Sequence, residues 1–282
     1  MAGFKDLKTR VFVSSILILW AFSLLYFCRL SFMPPIVALS MTGIAALGLW
    51  EFAFLCKKKK LFPNKLVMIL SGFFVILIFY FSIHHRLVDD ALAGFLFLVV
   101  IVSTIIRYKT IPNSIANVGA ELLGLVYIAI PLAMILKILY SLFQGLDGRF
   151  WIAYLILVTK TTDIGAYFGG RLLGKTPLCP TLSPKKTVEG ALSGLLLSII
   201  VSVLFFYLVF SYLDTGFSYS LPIYLGAFLS AAGQFGDLSE SLFKRDAGVK
   251  DSNTLPGLGG VLDVFDSLFF TAPILYFYLH CF

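Results

Sequence analysis

The sequence predicts an all-α, polytopic integral membrane protein with about nine transmembrane helices and a cytoplasmic N-terminus. Three observations carry that expectation. Of the 282 residues, 59% are hydrophobic and only 13% charged, against roughly 25% charged in soluble domains. Nine apolar runs recur along the chain, most of them near the ~20 residues a helix needs to cross the hydrocarbon. The basic residues between the runs fall mainly in alternate loops.

The runs cover residues 11–27, 33–55, 66–83, 91–106, 118–139, 150–167, 188–210, 219–235 and 261–279. Lipid offers no hydrogen-bond partners to an open backbone, so helix is the expected conformation of each. The last two runs are interrupted or polar at one end. With the N-terminus inside, nine crossings place 17 of the 22 Lys and Arg residues in the cytoplasm, as the positive-inside rule requires. Arg29, Arg86 and Arg149 fall outside, and Lys137 and Lys160 lie within runs. Removing one crossing would scatter the basic loops over both faces. The first run lacks a small-residue cleavage site, so no cleavable signal peptide is expected. One membrane domain over residues 1–282 is expected, with 1–145 mostly structural spans and 150–282 the catalytic half.

The net charge of +7 follows from the same topology rule, so nucleic acid is not an expected partner. Cytoplasmic Lys and Arg also favour anionic head groups by about 1 kcal/mol each. Cys28, Cys56, Cys179 and Cys281 share no metal-ligand spacing, and His84, His85 and His280 fall near outer loops. Neither a disulfide framework nor a histidine site is expected. Lys57 to Lys60 read as a topology anchor. Glu51 and Glu121 are isolated acids in the first half, at the edge of a site role.

From Thr159 onward the character changes. Lys160 and Asp163 share a helical face, about 20 Å into the span at 1.5 Å per residue. They read either as a neutralising ion pair or as part of a cavity open to the cytoplasm. Residues 169–176, GGRLLGKT, match the P-loop pattern letter for letter. That motif works only between a strand and a helix, whereas a membrane helix precedes it and Pro177 and Pro180 follow. A cationic, glycine-flexible loop containing Arg171 is the expectation. Ser183, Lys185, Lys186 and Thr187 form a plausible phosphate rim before the seventh run.

Residues 236–266 hold six acids and three bases in a glycine-rich stretch. Clustered charges between two spans point to a site. Asp237, Glu240, Ser241 and Lys244 fall on one helix face, and Asp263 and Asp266 share a face at the start of the last helix. Carboxylates from two helices suit Mg²⁺, with cations and backbone N–H groups to hold phosphates. The metal ligands expected are Asp237, Asp263 and Asp266, with Asp246, Asp251 and Asp163 as further candidates.

The run from Ser241 to Asp251, SLFKRDAGVKD, and residues 256–266, PGLGGVLDVFD, resemble the signature of the phosphatidate cytidylyltransferases, also called CDP-diacylglycerol synthases. Residues 163–171, DIGAYFGGR, and 183–190, SPKKTVEG, are similar to other segments of that family. Outside roughly residues 160–270 the likeness is one of hydropathy and span number. Leu258 stands where the family pattern has His, Val264 where it has Arg, and the connection between Asp251 and Pro256 is one residue shorter. The resemblance implies transfer of a cytidylyl group from CTP to phosphatidic acid, with Mg²⁺ as cofactor and pyrophosphate as the second product. It implies catalytic roles for Asp263, Asp266, Lys244 and Lys250. Phosphate contacts would come from Lys185, Lys186, Arg245, Arg171 and Ser183, and from Gly259 and Gly260 through their backbone.

Phosphate-monoester oxygens are largely anionic near pH 7, with a second pKa of about 6, so no histidine base is needed at position 258. The expected partners are CTP, phosphatidic acid and the bilayer, with a second copy of the chain as an option. The expected location is the bacterial inner membrane, with the site facing the cytoplasm. Alternatives from the residues are a CTP-dependent enzyme acting on a prenyl lipid or lipid alcohol, a transporter, and an inactive scaffold.

Overall fold

A computed structural model describes residues 15, 19–83, 88–107, 112–143, 145–210, 220–249 and 260–281. Residues 19–27 are helical. The helices that follow are α1 (Met33–Lys58), α2 (Lys65–Phe81), α3 (Val88–Arg107), α4 (Ser114–Gly124), α5 (Ile130–Tyr140), α6 (Gly148–Leu173), α7 (Val188–Phe210), α8 (Leu221–Asp246) and α9 (Val261–Cys281). Two short antiparallel hairpins interrupt them. β1 (Leu142–Phe143) pairs with β2 (Leu146–Asp147), with Leu142 opposite Asp147. β3 (Pro177–Cys179) pairs with β4 (Ser183–Thr187), with Pro177 opposite Thr187.

Eight of the nine apolar runs therefore coincide with helix, and the first is described only in part. Among the described residues, four helical stretches are long and apolar enough to cross a bilayer: Met33–Lys58, Ser114–Tyr140, Val188–Val209 and Val261–His280. Lys65–Phe81 and Ala91–Arg107 are shorter apolar helices. The protein is thus all-α in its spanning parts, with the hairpins confined to connections. Between α4 and α5 the backbone widens into a π turn, Leu125–Ala129. It ends two residues before Pro131, which has no N–H to return to the preceding turn. A locally widened turn is one way a helix continues past such a residue.

The chain divides into two compact units, one formed by residues 1–141 with 243–265, the other by 142–242 with 266–282. One break falls at 141/142, between α5 and β1, and two more fall inside α8 and α9. In the first unit, Leu49, Met68, Ile76, Leu125, Ile128, Leu132 and Leu136 are fully buried. The polar centre of this unit is Glu121, whose side chain is 1% exposed. Its Oε1 accepts from Arg107 Nη2 and the Asn64 N–H, both at 2.6 Å, and its Oε2 from Ser103 Oγ at 2.5 Å. Arg107 also donates to the Phe62 carbonyl at 2.7 Å, and the Phe62 N–H to Asn117 Oδ1 at 2.7 Å. The connection between α1 and α2 is thereby tied to α3 and α4. Glu121, borderline in the sequence, is a structural residue.

In the second unit α6 and α7 meet along glycines. A Cβ at Gly194 would lie 2.7 Å from the Thr162 carbonyl, and one at Gly165 2.9 Å from Gly194 Cα. Small residues four apart let membrane helices approach this closely, and Gly165/Gly169 and Gly190/Gly194 have that spacing. Tyr154, fully buried in α6, shares a 2.7 Å hydrogen bond with Ser202 of α7.

Candidate active site

The first unit holds one cluster of the expected site residues. Lys244, in the last turn of α8, donates to Asp263 Oδ1 at 2.6 Å. The other oxygen of Asp263 accepts the Gly260 N–H at 2.6 Å. Asp263 is the third residue of α9 and reaches back to its N-cap, as the acid of a capping box does. Gly260 thus has its N–H engaged by Asp263, so a phosphate would have to displace that bond to use it. The next two N–H groups, of Val261 and Leu262, donate to Glu51 of α1 at 2.9 and 3.0 Å. A Cβ at Gly48, one turn before Glu51, would stand 3.7 Å from Leu262, so α1 runs close beside this helix start. Asp246 pairs with Lys59 at 2.9 Å on the surface. Arg245 is exposed, with Nη1 3.5 Å from the Val249 carbonyl. Phe243 is seated edge-on against Phe52 and Tyr127. Lys250, Asp251, Leu258 and Gly259 lie outside the described residues.

The second unit holds another cluster. Lys186, on β4, forms an ion pair with Asp237 of α8 at 2.5 Å. Asp266 of α9 lies within electrostatic reach of Asp237, Asp163 and Lys160. Its Oδ1 accepts from the Ser267 N–H at 2.6 Å. Gly236 makes this neighbourhood possible, since a Cβ there would lie 2.5 Å from the Asp266 carbonyl. Any side chain at 236 would push α8 from this part of α9. Lys160 and Asp163 do pair, at 3.4 Å, with both side chains well exposed to the surface. The ion pair expected from their spacing is formed.

The P-loop likeness dissolves in the fold. Gly169 to Leu173 belong to α6, and β3 follows where a P-loop would have a helix. The Lys175 and Thr176 N–H groups each donate at 3.1 Å to the carboxylate of Glu189, in the first turn of α7. A protein carboxylate occupies the backbone donors that a P-loop would offer to phosphate. Arg171 is exposed, 3.3 Å from the Tyr167 hydroxyl. Lys185 is exposed on β4, while Ser183 pairs through its backbone with Cys179.

Carboxylates of this kind are hard oxygen donors of the sort Mg²⁺ prefers. Asp237 and Asp266 supply two of them in one neighbourhood. Among the described residues, no three His, Cys, Asp or Glu side chains are gathered as a metal-holding set. Where Asp237 and Asp263 would face a cation, each is matched with a lysine ammonium. The partners of Glu51 lie 210 and 211 positions away, so no local spacing marks them. The α6–α7 seam that sequence reasoning passed over had a visible signal, the two small-residue spacings.

Residues 8–282 match the family model described as the cytidylyltransferase family. The chain is 33% identical to the phosphatidate cytidylyltransferase of Chlamydia pneumoniae over 294 positions, spanning 98% of this chain and 93% of that protein. It is 43% identical to the phosphatidate cytidylyltransferase of Bacillus subtilis over 169 positions, 59% of this chain and 60% of that protein. With the protein of the same name from Staphylococcus haemolyticus, identity is 48% over 130 positions, 46% of this chain and 48% of the relative. With its signature segments distributed over two charged clusters, the chain belongs to the cytidylyltransferase family.

Proposed function

We propose that this chain transfers the cytidylyl group of CTP to phosphatidic acid, giving CDP-diacylglycerol and pyrophosphate for phospholipid synthesis. The observation that carries the reading is the match over nearly the whole chain to a phosphatidate cytidylyltransferase. The lysine–carboxylate pairs of the two clusters supply suitable chemistry. In the reaction, an anionic oxygen of the phosphatidate monoester attacks the α-phosphorus of CTP. The bond from that phosphorus to the oxygen bridging to the β-phosphate breaks, and pyrophosphate departs. The nucleophile is already ionised near neutrality, so Leu258 in place of a histidine removes no required base. Positioning and charge stabilisation remain the protein's task.

Lys244 and Lys186 are the primary candidates to neutralise the triphosphate and the departing pyrophosphate, with Lys185, Arg245, Arg171 and Lys250 as further candidates. Each of the first two would exchange a carboxylate for phosphate when nucleotide binds. Mg²⁺ is proposed on Asp266 and its neighbour Asp237, with Asp263 one turn earlier on the same helix. When bound, it adds positive charge against the phosphates. Nine crossings, a cytoplasmic N-terminus and a site opening to the cytoplasmic face of a bacterial inner membrane complete the reading. A homodimer is compatible with it and plays no part in it.

The test is incorporation of radiolabelled CTP into a chloroform-soluble product by the purified protein. Label should enter lipid when phosphatidic acid is supplied. Incorporation with a prenyl phosphate or lipid alcohol alone would replace the substrate, and no incorporation with any lipid would overturn the activity.

A further inference from the structure

The first turn of α9 carries Asp263, and its local sequence caps it poorly. The N-cap is Gly260, which has no side chain to accept from the orphan N–H groups of a helix start. Asp263 satisfies the Gly260 N–H alone. The following two donors, Val261 and Leu262, are taken by the two oxygens of Glu51, one each, at 2.9 and 3.0 Å. Glu51 is 1% exposed, and its charge suits the positive end of the helix. Both oxygens of Asp263 are engaged on the same turn, one by Gly260 and the other by Lys244. The direction of the Asp263 carboxylate therefore depends on that turn being closed.

We infer that Glu51 is a positioning residue for cytidylyl transfer, closing the first turn of α9 from a distant helix so that Asp263 is held against Lys244. This rests on Asp263 acting in the reaction proposed above. A carboxylate is required because two parallel N–H donors need two acceptors. Glutamine would offer one oxygen and turn an NH₂ group against the other donor.

The experiment compares wild type, Glu51→Gln, Glu51→Ala and Asp263→Asn as purified full-length proteins. It reads amide hydrogen exchange over residues 260–266 without substrate, and kcat and KM for CTP. Exchange should rise at least tenfold in Glu51→Ala and less in Glu51→Gln. The kcat should fall tenfold or more and about threefold respectively, with a smaller change in KM. Unchanged exchange in both Glu51 variants, or wild-type kcat with exchange raised, would overturn the inference while an inert Asp263→Asn kept the site reading intact. Wild-type turnover by Asp263→Asn would sink the site reading instead. Should Glu51→Ala fail to fold, Glu51→Gln alone decides by the same two readouts.

Discussion

Glu121 and Asp163 are both carboxylates set among apolar helices, and each lies beside a cation, yet they are held in opposite ways. Glu121 is 1% exposed and faces an arginine that is 11% exposed, with a serine hydroxyl and a backbone N–H completing its shell. Asp163 is 39% exposed, and its lysine 46%. Asp237 with Lys186 resembles the second case, and Asp263 with Lys244 lies between them. The buried acid has a planar, fixed guanidinium, and the site acids have ammonium groups on flexible stems. Breaking a buried pair strands a charge, whereas an exposed pair contributes little and exchanges partners readily. Glu121 and the aspartates of the two charged clusters thus differ in cation type and in exposure.

The largest effect should come from Asp266→Asn. Loss of its charge is expected to lower kcat at least a hundredfold, the scale for one electrostatic contact in a transition state, with thermal unfolding unchanged. A near-wild-type rate would remove Asp266 from the site. Glu121→Ala should show the converse. It leaves Arg107 without its carboxylate and should cost about 3–5 kcal/mol of stability, read as a lowered midpoint in thermal unfolding, while the folded fraction turns over normally. Full stability in that variant would erase the contrast.

Lys186→Ala sharpens the comparison. Its pair with Asp237 is partly exposed, so stability should change by less than about 1 kcal/mol. The KM for CTP should rise roughly tenfold, about 1.4 kcal/mol of binding. A large stability loss with unchanged KM would place this pair with Glu121 instead. The smallest effect belongs to Lys175→Ala. The residue contributes its backbone N–H to Glu189, so activity should fall by less than tenfold. A P-loop lysine would be missed far more.

Helix existence was legible because lipid allows an apolar run no other conformation, and eight runs lie on helices, with α6 and α8 continuing past their runs to Leu173 and Asp246. The pairing of Lys160 with Asp163 was equally legible, since it is local. What the letters concealed were partners distant in the chain. Glu51 and Glu121 read as stray acids because their ligands come from other helices. The hairpin of β3 and β4 was hidden inside a loop that looked merely cationic, although Glu189 folds it by accepting the Lys175 and Thr176 N–H groups. The breaks inside α8 and α9 fall within the charged, glycine-rich stretch 236–266, which read as a site and not as a division. Local chemistry was readable, and three-dimensional company was not.

The reach of Glu51 also has a meaning in time. Its helical partners are synthesised 210 residues after it, and at about 5–20 residues per second that is a wait of roughly 10–40 s. Throughout that interval α1 is already made, while the two N–H groups that will enclose its carboxylate do not yet exist. A nascent chain stalled before residue 261 leaves this acid without the helix that covers it in the finished protein. Completion of α9 is therefore also completion of α1, and a quality-control protease that detects unsheltered charge in a membrane would have a full translation interval in which to act.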